Sequence, residues 1–297
     1  MEILILTEEQ ADEPMSSSPR GAQRREKGVE MSRTTPQSGY APVNGLQLYY
    51  EIHGTEQPLV VLHGAFMTIE LLGDLVSGLA RTRQVIAVEL QGHGHTADIE
   101  RPLTYEQLAD DIAALLRYLR IGTADLYGYS LGGGVALQVA LRHPQLVRKL
   151  VLVSSSYTSD GMYPEVRAAI EQITPDLFAG TPWRAAYDRT APHPEAFPTL
   201  VAKMIALDRT PFAWPAAAIA ALTTPTLIII GDCDGTRPEH AVELFRLRGG
   251  GVFGDVTGLP AAQLAVLPGT THVGMLDRAA WLLMMIPPFL DAPPPAT

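Results

Sequence analysis

The chain has 297 residues, 46% of them hydrophobic and 18% charged, which suits one large globular α/β domain or two smaller ones. A net charge of −10 argues against nucleic acid or an anionic membrane surface as the partner. The single cysteine, Cys233, excludes an internal disulfide and a cysteine-rich metal site.

Residues 1–38 are rich in Glu, Ser, Arg, Pro and Gln and lack apolar periodicity, so a disordered tail is expected there. The start has no basic-then-apolar leader pattern. The late apolar run 281–290 is far short of the ~20 residues that span a bilayer and is interrupted by Pro287-Pro288. A soluble, cytoplasmic protein without a membrane partner is the resulting expectation. Order begins near Tyr40. Asn44-Gly45 signals a hairpin, and the alternation of Leu46, Leu48, Tyr50 and Ile52 predicts a half-buried strand. The apolar run 58–62 predicts a strand buried on both faces, and it leads into His63-Gly64-Ala65-Phe66. A helical pattern over 69–79 follows, then a buried strand over 84–90 that ends at Gln91-Gly92-His93-Gly94. The segment 104–119 reads as an amphipathic helix capped by Thr104.

Gly128-Tyr129-Ser130-Leu131-Gly132 comes next, between a short strand and a helix over 131–142. Its spacing matches a nucleophile elbow, in which small neighbours let a serine stand clear of a tight strand-to-helix turn. A strand is expected over 149–154. From 157 to 215 the strand pattern stops, and prolines and large side chains predominate. That stretch is too long for a plain loop and too apolar for disorder, so a small helical lid is predicted. The core resumes at 216, with a strand over 226–230 ending in Gly231-Asp232-Cys233-Asp234. A helix over 238–247, a glycine-rich stretch and a strand over 263–267 that runs into Pro268-Gly269-Thr270-Thr271-His272 follow, then a C-terminal helix.

Ser130, Asp234 and His272 each fall just beyond the C-terminal end of a predicted parallel strand, the edge where open α/β sheets bind ligands. A serine hydroxyl needs a base to remove its proton, imidazole does this near neutral pH, and a fixed carboxylate orients the imidazole. Asp232 competes with Asp234 for the carboxylate role. The backbone amides of Leu131 and Ala65 are the expected oxyanion donors, with Phe66 next after Ala65. His63, His93 and His95 lie in glycine turns without a matching carboxylate, so His63 and His93 are expected to hold loops. Cys233 is expected to be a small buried hydrophobe, and His193 to face solvent.

Taken together, Leu62-His63-Gly64, Gly92-His93-Gly94, Gly128-Tyr129-Ser130-Leu131-Gly132-Gly133, Gly231-Asp232-Cys233-Asp234 and Gly269-Thr270-Thr271-His272 resemble the α/β-hydrolase superfamily. The resemblance spans about residues 40–290. It implies an eight-stranded, mostly parallel sheet with flanking helices, a core over 39–156 and 216–292, a lid over 157–215, and neither metal nor organic cofactor. Family members commonly carry Asp where this chain has Glu89, a position expected to be structural. The stretch 249–260 is longer than usual and is expected to wall the pocket or to contact a second subunit in a homodimer. The expected activity is hydrolysis of a small, partly hydrophobic carboxylic ester or lactone through an acyl-enzyme. Carbon–carbon bond hydrolysis and cofactor-free perhydrolysis use the same three residues, and a non-catalytic ligand-binding role is the alternative of another class.

Overall fold

The computed structural model describes residues 36–293. The expected tail lies outside the described residues up to 35, and its last two positions already belong to the first strand. Eight strands form one sheet in the order β1-β2-β4-β3-β5-β6-β7-β8. They are β1 (Gln37–Val43), β2 (Leu46–His53), β3 (Pro58–Leu62), β4 (Gln84–Val88), β5 (Ala124–Tyr129), β6 (Val147–Val153), β7 (Thr226–Cys233) and β8 (Ala262–Thr271). The β1–β2 and β2–β4 pairs are antiparallel, and the rest are parallel. The hairpin at Asn44-Gly45 forms as its sequence demands, with both residues at positive φ (47° and 85°).

The chain leaves β3 toward β4 on one side, and β5 lies on β3's other flank. The loops after β3 and β5 therefore part, and the crevice between them is a topological switch point. The helices are α1 (Gly73–Leu79), α2 (Tyr105–Tyr118), α3 (Leu131–Arg142), α4 (Pro164–Ile170), α5 (Pro182–Thr190), α6 (Phe197–Arg209), α7 (Ala216–Ala221), α8 (Pro238–Leu247), α9 (Gly254–Thr257) and α10 (Ala279–Asp291). Thr104 does cap α2, its hydroxyl accepting from the Gln107 amide. One face of the sheet buries Leu62, Val88, Leu126, Leu152 and Ile228 with α2 and α3. The other buries Val61, Ala87, Tyr127, Val151 and Ile229 with α1 and α10.

The helical insertion between β6 and β7 closes on itself. Ser159 N–H donates to the Phe212 carbonyl (2.8 Å) and Trp214 N–H to that of Tyr157 (3.1 Å), so its two ends pair. Phe178, Tyr187 and Phe197 pack together, and Phe66 from the loop after β3 joins them, 4.7 Å from the Phe178 ring. Asp208 on α6 is half-buried with no ion pair among the described residues, and this burial pushes its carboxyl up to about 6. Its folded pKa lies above the unfolded one, so the charged form opposes folding at neutral pH. Asp208→Asn is accordingly expected to raise Tm by about 2–4 °C at pH 8. In thermal melts across pH the gain should shrink below about pH 6 and vanish below the ordinary carboxylate range. An equal gain at every pH would contradict the account.

Two expectations change. The C-terminal helix continues through Pro287 and Pro288, and the run Val273–Asp291 is 19 residues long with mean hydropathy 1.3, long and apolar enough to cross a membrane by those measures alone. In this fold Leu282, Ile286, Phe289 and Leu290 pack into the core, and the Lys149 ammonium donates to the Phe289 carbonyl (2.7 Å), holding the last turn. Second, Cys233 is exposed: it pairs with Thr271 at the far end of the sheet, beyond a register shift in β7. In the long 249–260 stretch Val252, Phe253, Val256 and Leu259 are all exposed.

Candidate active site

Ser130 occupies the turn between β5 and α3 with φ 54° and ψ −117°, a conformation L-residues rarely adopt. The turn is held by Ser130 N–H donating to the Val153 carbonyl of β6 (2.9 Å) and by Gly133 N–H donating back to the Ser130 carbonyl (2.9 Å). A side chain at Gly128 would overlap the Gly132 carbonyl, so the crossing of strand and helix requires glycine there. A methyl at Gly132 would run into the carbonyls of Leu62 and His63. The start of α3 thus lies directly against the end of β3, which brings the loop after β3 to the elbow.

The structure brings Ser130, His272 and Asp234 into one line. The Ser130 hydroxyl donates to His272 Nε2 (2.9 Å), and His272 Nδ1–H donates to Asp234 Oδ1 (2.7 Å). The carboxylate fixes the tautomer: with the proton on Nδ1, Nε2 is left to accept from serine. Asp234 is buried, and its carboxylate also accepts from the Ser154 hydroxyl (2.5 Å) and the Thr236 amide (3.0 Å). Burial pushes its pKa up, but the His272, Ser154 and Thr236 bonds outweigh this and hold it below the usual range. Asp232 is exposed, and its Oδ1 accepts from the Thr270 amide (3.1 Å), so it braces the loop ahead of His272.

His63 is fully buried and its pKa is pushed down to about 3, first by burial and then by neighbouring His93, so the ring is neutral. Its Nε2 accepts from the Leu90 amide (3.1 Å), which leaves Nδ1–H to donate to the Gly64 carbonyl (2.7 Å). Every described peptide bond is trans, so the Gly64 carbonyl and the Ala65 N–H point in opposite directions. His63 therefore turns the Ala65 N–H away from itself. Neither that N–H nor the Leu131 N–H at the start of α3 has a partner among the described residues. Glu89, only 1% exposed, accepts from the Ile69 amide (3.2 Å), the His95 amide (2.6 Å) and the His95 ring (2.9 Å). It ties the turn after β4 to the segment that follows the loop after β3.

His193 has an exposed side chain (69%) and lies apart from the line. Among the described residues no three His, Cys, Asp or Glu side chains are grouped to hold a metal ion. The exposed Cys233 thiol is pushed up by its hydrogen bond to Asp232, which works against thiolate chemistry. Sequence reasoning passed over two polar contacts, Ser154 to Asp234 and Tyr129 to His272. Tyr129 lay in view inside the elbow motif, whereas nothing in the sequence around Ser154 marks it.

Eight strands in this order with a helical insertion after β6 define the α/β-hydrolase fold. The alpha/beta hydrolase family model matches residues 59–283, and the chain belongs to that family. Over 111 residues it is 42% identical to a pimeloyl-[acyl-carrier protein] methyl ester esterase of Neisseria meningitidis, covering 37% of this chain and 41% of that protein. Over 156 residues it is 31% identical to an sn-1-specific diacylglycerol lipase of Danio rerio, covering 50% of this chain and 49% of that protein. Each alignment thus spans less than half of the relative's length. The enol-lactonase of Burkholderia xenovorans has the same fold at a TM-score of 0.66 and 22% identity, covering 85% of this chain and all of that one.

Proposed function

We propose that the protein is a serine hydrolase that cleaves a small, partly hydrophobic carboxylic ester or lactone through an acyl-enzyme. The observation that carries this reading is the Ser130–His272–Asp234 line, at 2.9 and 2.7 Å, beside two unpartnered backbone amides. The ester names of two relatives support the substrate class. Ser130 Oγ attacks the acyl carbon while His272 Nε2 takes its proton, and Asp234 stabilises the resulting imidazolium. The Ala65 and Leu131 N–H groups receive the oxyanion. His272 then protonates the leaving alkoxide, and the acyl group remains on Ser130. A water molecule, deprotonated by His272, attacks the acyl carbon, the bond to Ser130 Oγ breaks, and His272 returns its proton to Oγ as the acid leaves. For a lactone the alkoxide and the acid are parts of one product. The exposed apolar side chains of 249–260 support contact with a second copy over a role as pocket wall.

The test is a panel of p-nitrophenyl esters from acetyl to dodecanoyl, simple lactones, and a fluorophosphonate probe. Labelling of the protein is expected, with kcat/KM for the shortest esters exceeding that for the longest by about tenfold or more, because the insertion's aromatics pack on one another and on Phe66 beside the site. Absence of both labelling and ester or lactone turnover would reject the reading. Turnover confined to carbon–carbon bond substrates would move it to that chemistry on the same residues.

A further inference from the structure

Tyr129, the residue before the elbow serine, touches three separate parts of the site. Its hydroxyl donates to the main-chain carbonyl of His272 at 2.7 Å. Its ring lies 5.4 Å from the His272 ring, centroid to centroid, at 31°. The ring also borders the loop after β3: a methyl at Gly64 would come within 2.8 Å of the Tyr129 ring. The residue is only 4% exposed, so the ring has a fixed seat.

The need for such a contact follows from the topology. β8 is the edge strand, with β7 as its single neighbour in the sheet. Its last ladder pair, Thr271 with Cys233, lies just before His272. Past that pair the backbone turns into a 3-10 segment, Val273–Arg278, with His272 itself at φ −54° and ψ −55°. The imidazole must span Ser130 and Asp234 from the loose end of an edge strand. Two strands, β6 and β7, separate β5 from β8, so no ladder bond links the elbow to the His272 loop.

We propose that Tyr129 is a positioning residue, whose hydroxyl anchors the His272 main chain to the elbow and so keeps Nε2 on the Ser130 hydroxyl. This rests on the hydrolase reading above. The ring adds a second coupling. Because it is wedged against Gly64, the backbone that carries the Ala65 amide and the backbone that carries His272 share one support. A misplacement of about 1 Å at reacting groups costs up to about a hundredfold in rate, so one main-chain hydrogen bond can matter here.

Tyr129→Phe removes the hydroxyl and keeps the ring. With active sites counted by fluorophosphonate titration, kcat for a short ester is expected to fall about tenfold, with KM within about twofold of the parent. The inactivation rate by the probe should fall in parallel, because it reports the same attack by Ser130. Tm by circular dichroism, read alongside, corrects for any unfolded fraction. An unchanged kcat and inactivation rate, or a loss accounted for by unfolded protein, would overturn the proposal. Ser130→Ala keeps the two readings apart: if it retains labelling and turnover, the hydrolase reading fails whatever Tyr129→Phe does.

Discussion

Ser130→Ala is expected to lower ester turnover by about 10⁵–10⁶-fold while leaving the fold intact. The fold should survive because the turn is held by main-chain bonds that alanine keeps: Ser130 N–H to Val153, and Gly133 and Gly134 N–H to the Ser130 carbonyl. The strained backbone at φ 54° remains, so the stored strain is the same in both proteins. What disappears is the one oxygen 2.9 Å from His272 Nε2. The residual rate comes from substrate binding and the oxyanion donors, which can assist attack by water. Initial rates with a short p-nitrophenyl ester, and mass spectrometry of the probe adduct, measure the effect. Wild-type protein should carry the adduct on the peptide containing Ser130, and the variant none. Equal labelling of the variant, or labelling elsewhere in the wild type, would remove Ser130 from the nucleophile role.

Much of this architecture is legible in the sequence because local signals and tertiary demands agree. The apolar run of β3, the helix that begins right after Ser130, and α8 opened by Pro238 all have the bounds read from pattern and punctuation. The three polar residues could be singled out because each ends a strand at one edge of a parallel sheet, and the structure brings their side chains together. What stayed hidden depends on contacts between distant segments. Ser154 reaches Asp234 across 80 positions, and Tyr129 reaches His272 across 143. Cys233 has the composition of a buried neighbour, but beyond a register shift, at the last pair of the β7–β8 ladder, it is exposed. Pro287 and Pro288 remove two amide donors from α10, yet burial of Phe289 and Leu290 and the Lys149 contact hold the turn closed.

Asp234→Asn is expected to lower kcat/KM by about 10⁴-fold, and Asp232→Asn to change it less than about twofold. The two carboxylates are separated by one residue, so the contrast isolates position from composition. In Asp234 one oxygen accepts from His272 Nδ1–H, and the other accepts from the Ser154 hydroxyl. An amide at 234 has one acceptor and one donor end. If its NH₂ faces His272, Nδ1 must accept, the ring proton moves to Nε2, and Nε2 can no longer take the proton from Ser130. If its oxygen faces His272, the tautomer survives, but the negative charge that stabilises the imidazolium is gone, and the NH₂ must meet the Ser154 hydroxyl. Either arrangement disables the base. Asp232 meets the loop ahead of His272 through the Thr270 amide, and an asparagine oxygen can accept that bond as well. The stability effect has its own sign. Asp234 titrates below its unfolded value in the fold, so its ionised form stabilises the protein above the usual carboxylate range. That contribution is lost as pH falls through the depressed value. Asp234→Asn should therefore lower Tm at neutral pH and converge on the parent in acid, while Asp232→Asn keeps full turnover. A large activity loss in Asp232→Asn with full activity in Asp234→Asn would transfer the acid role to Asp232.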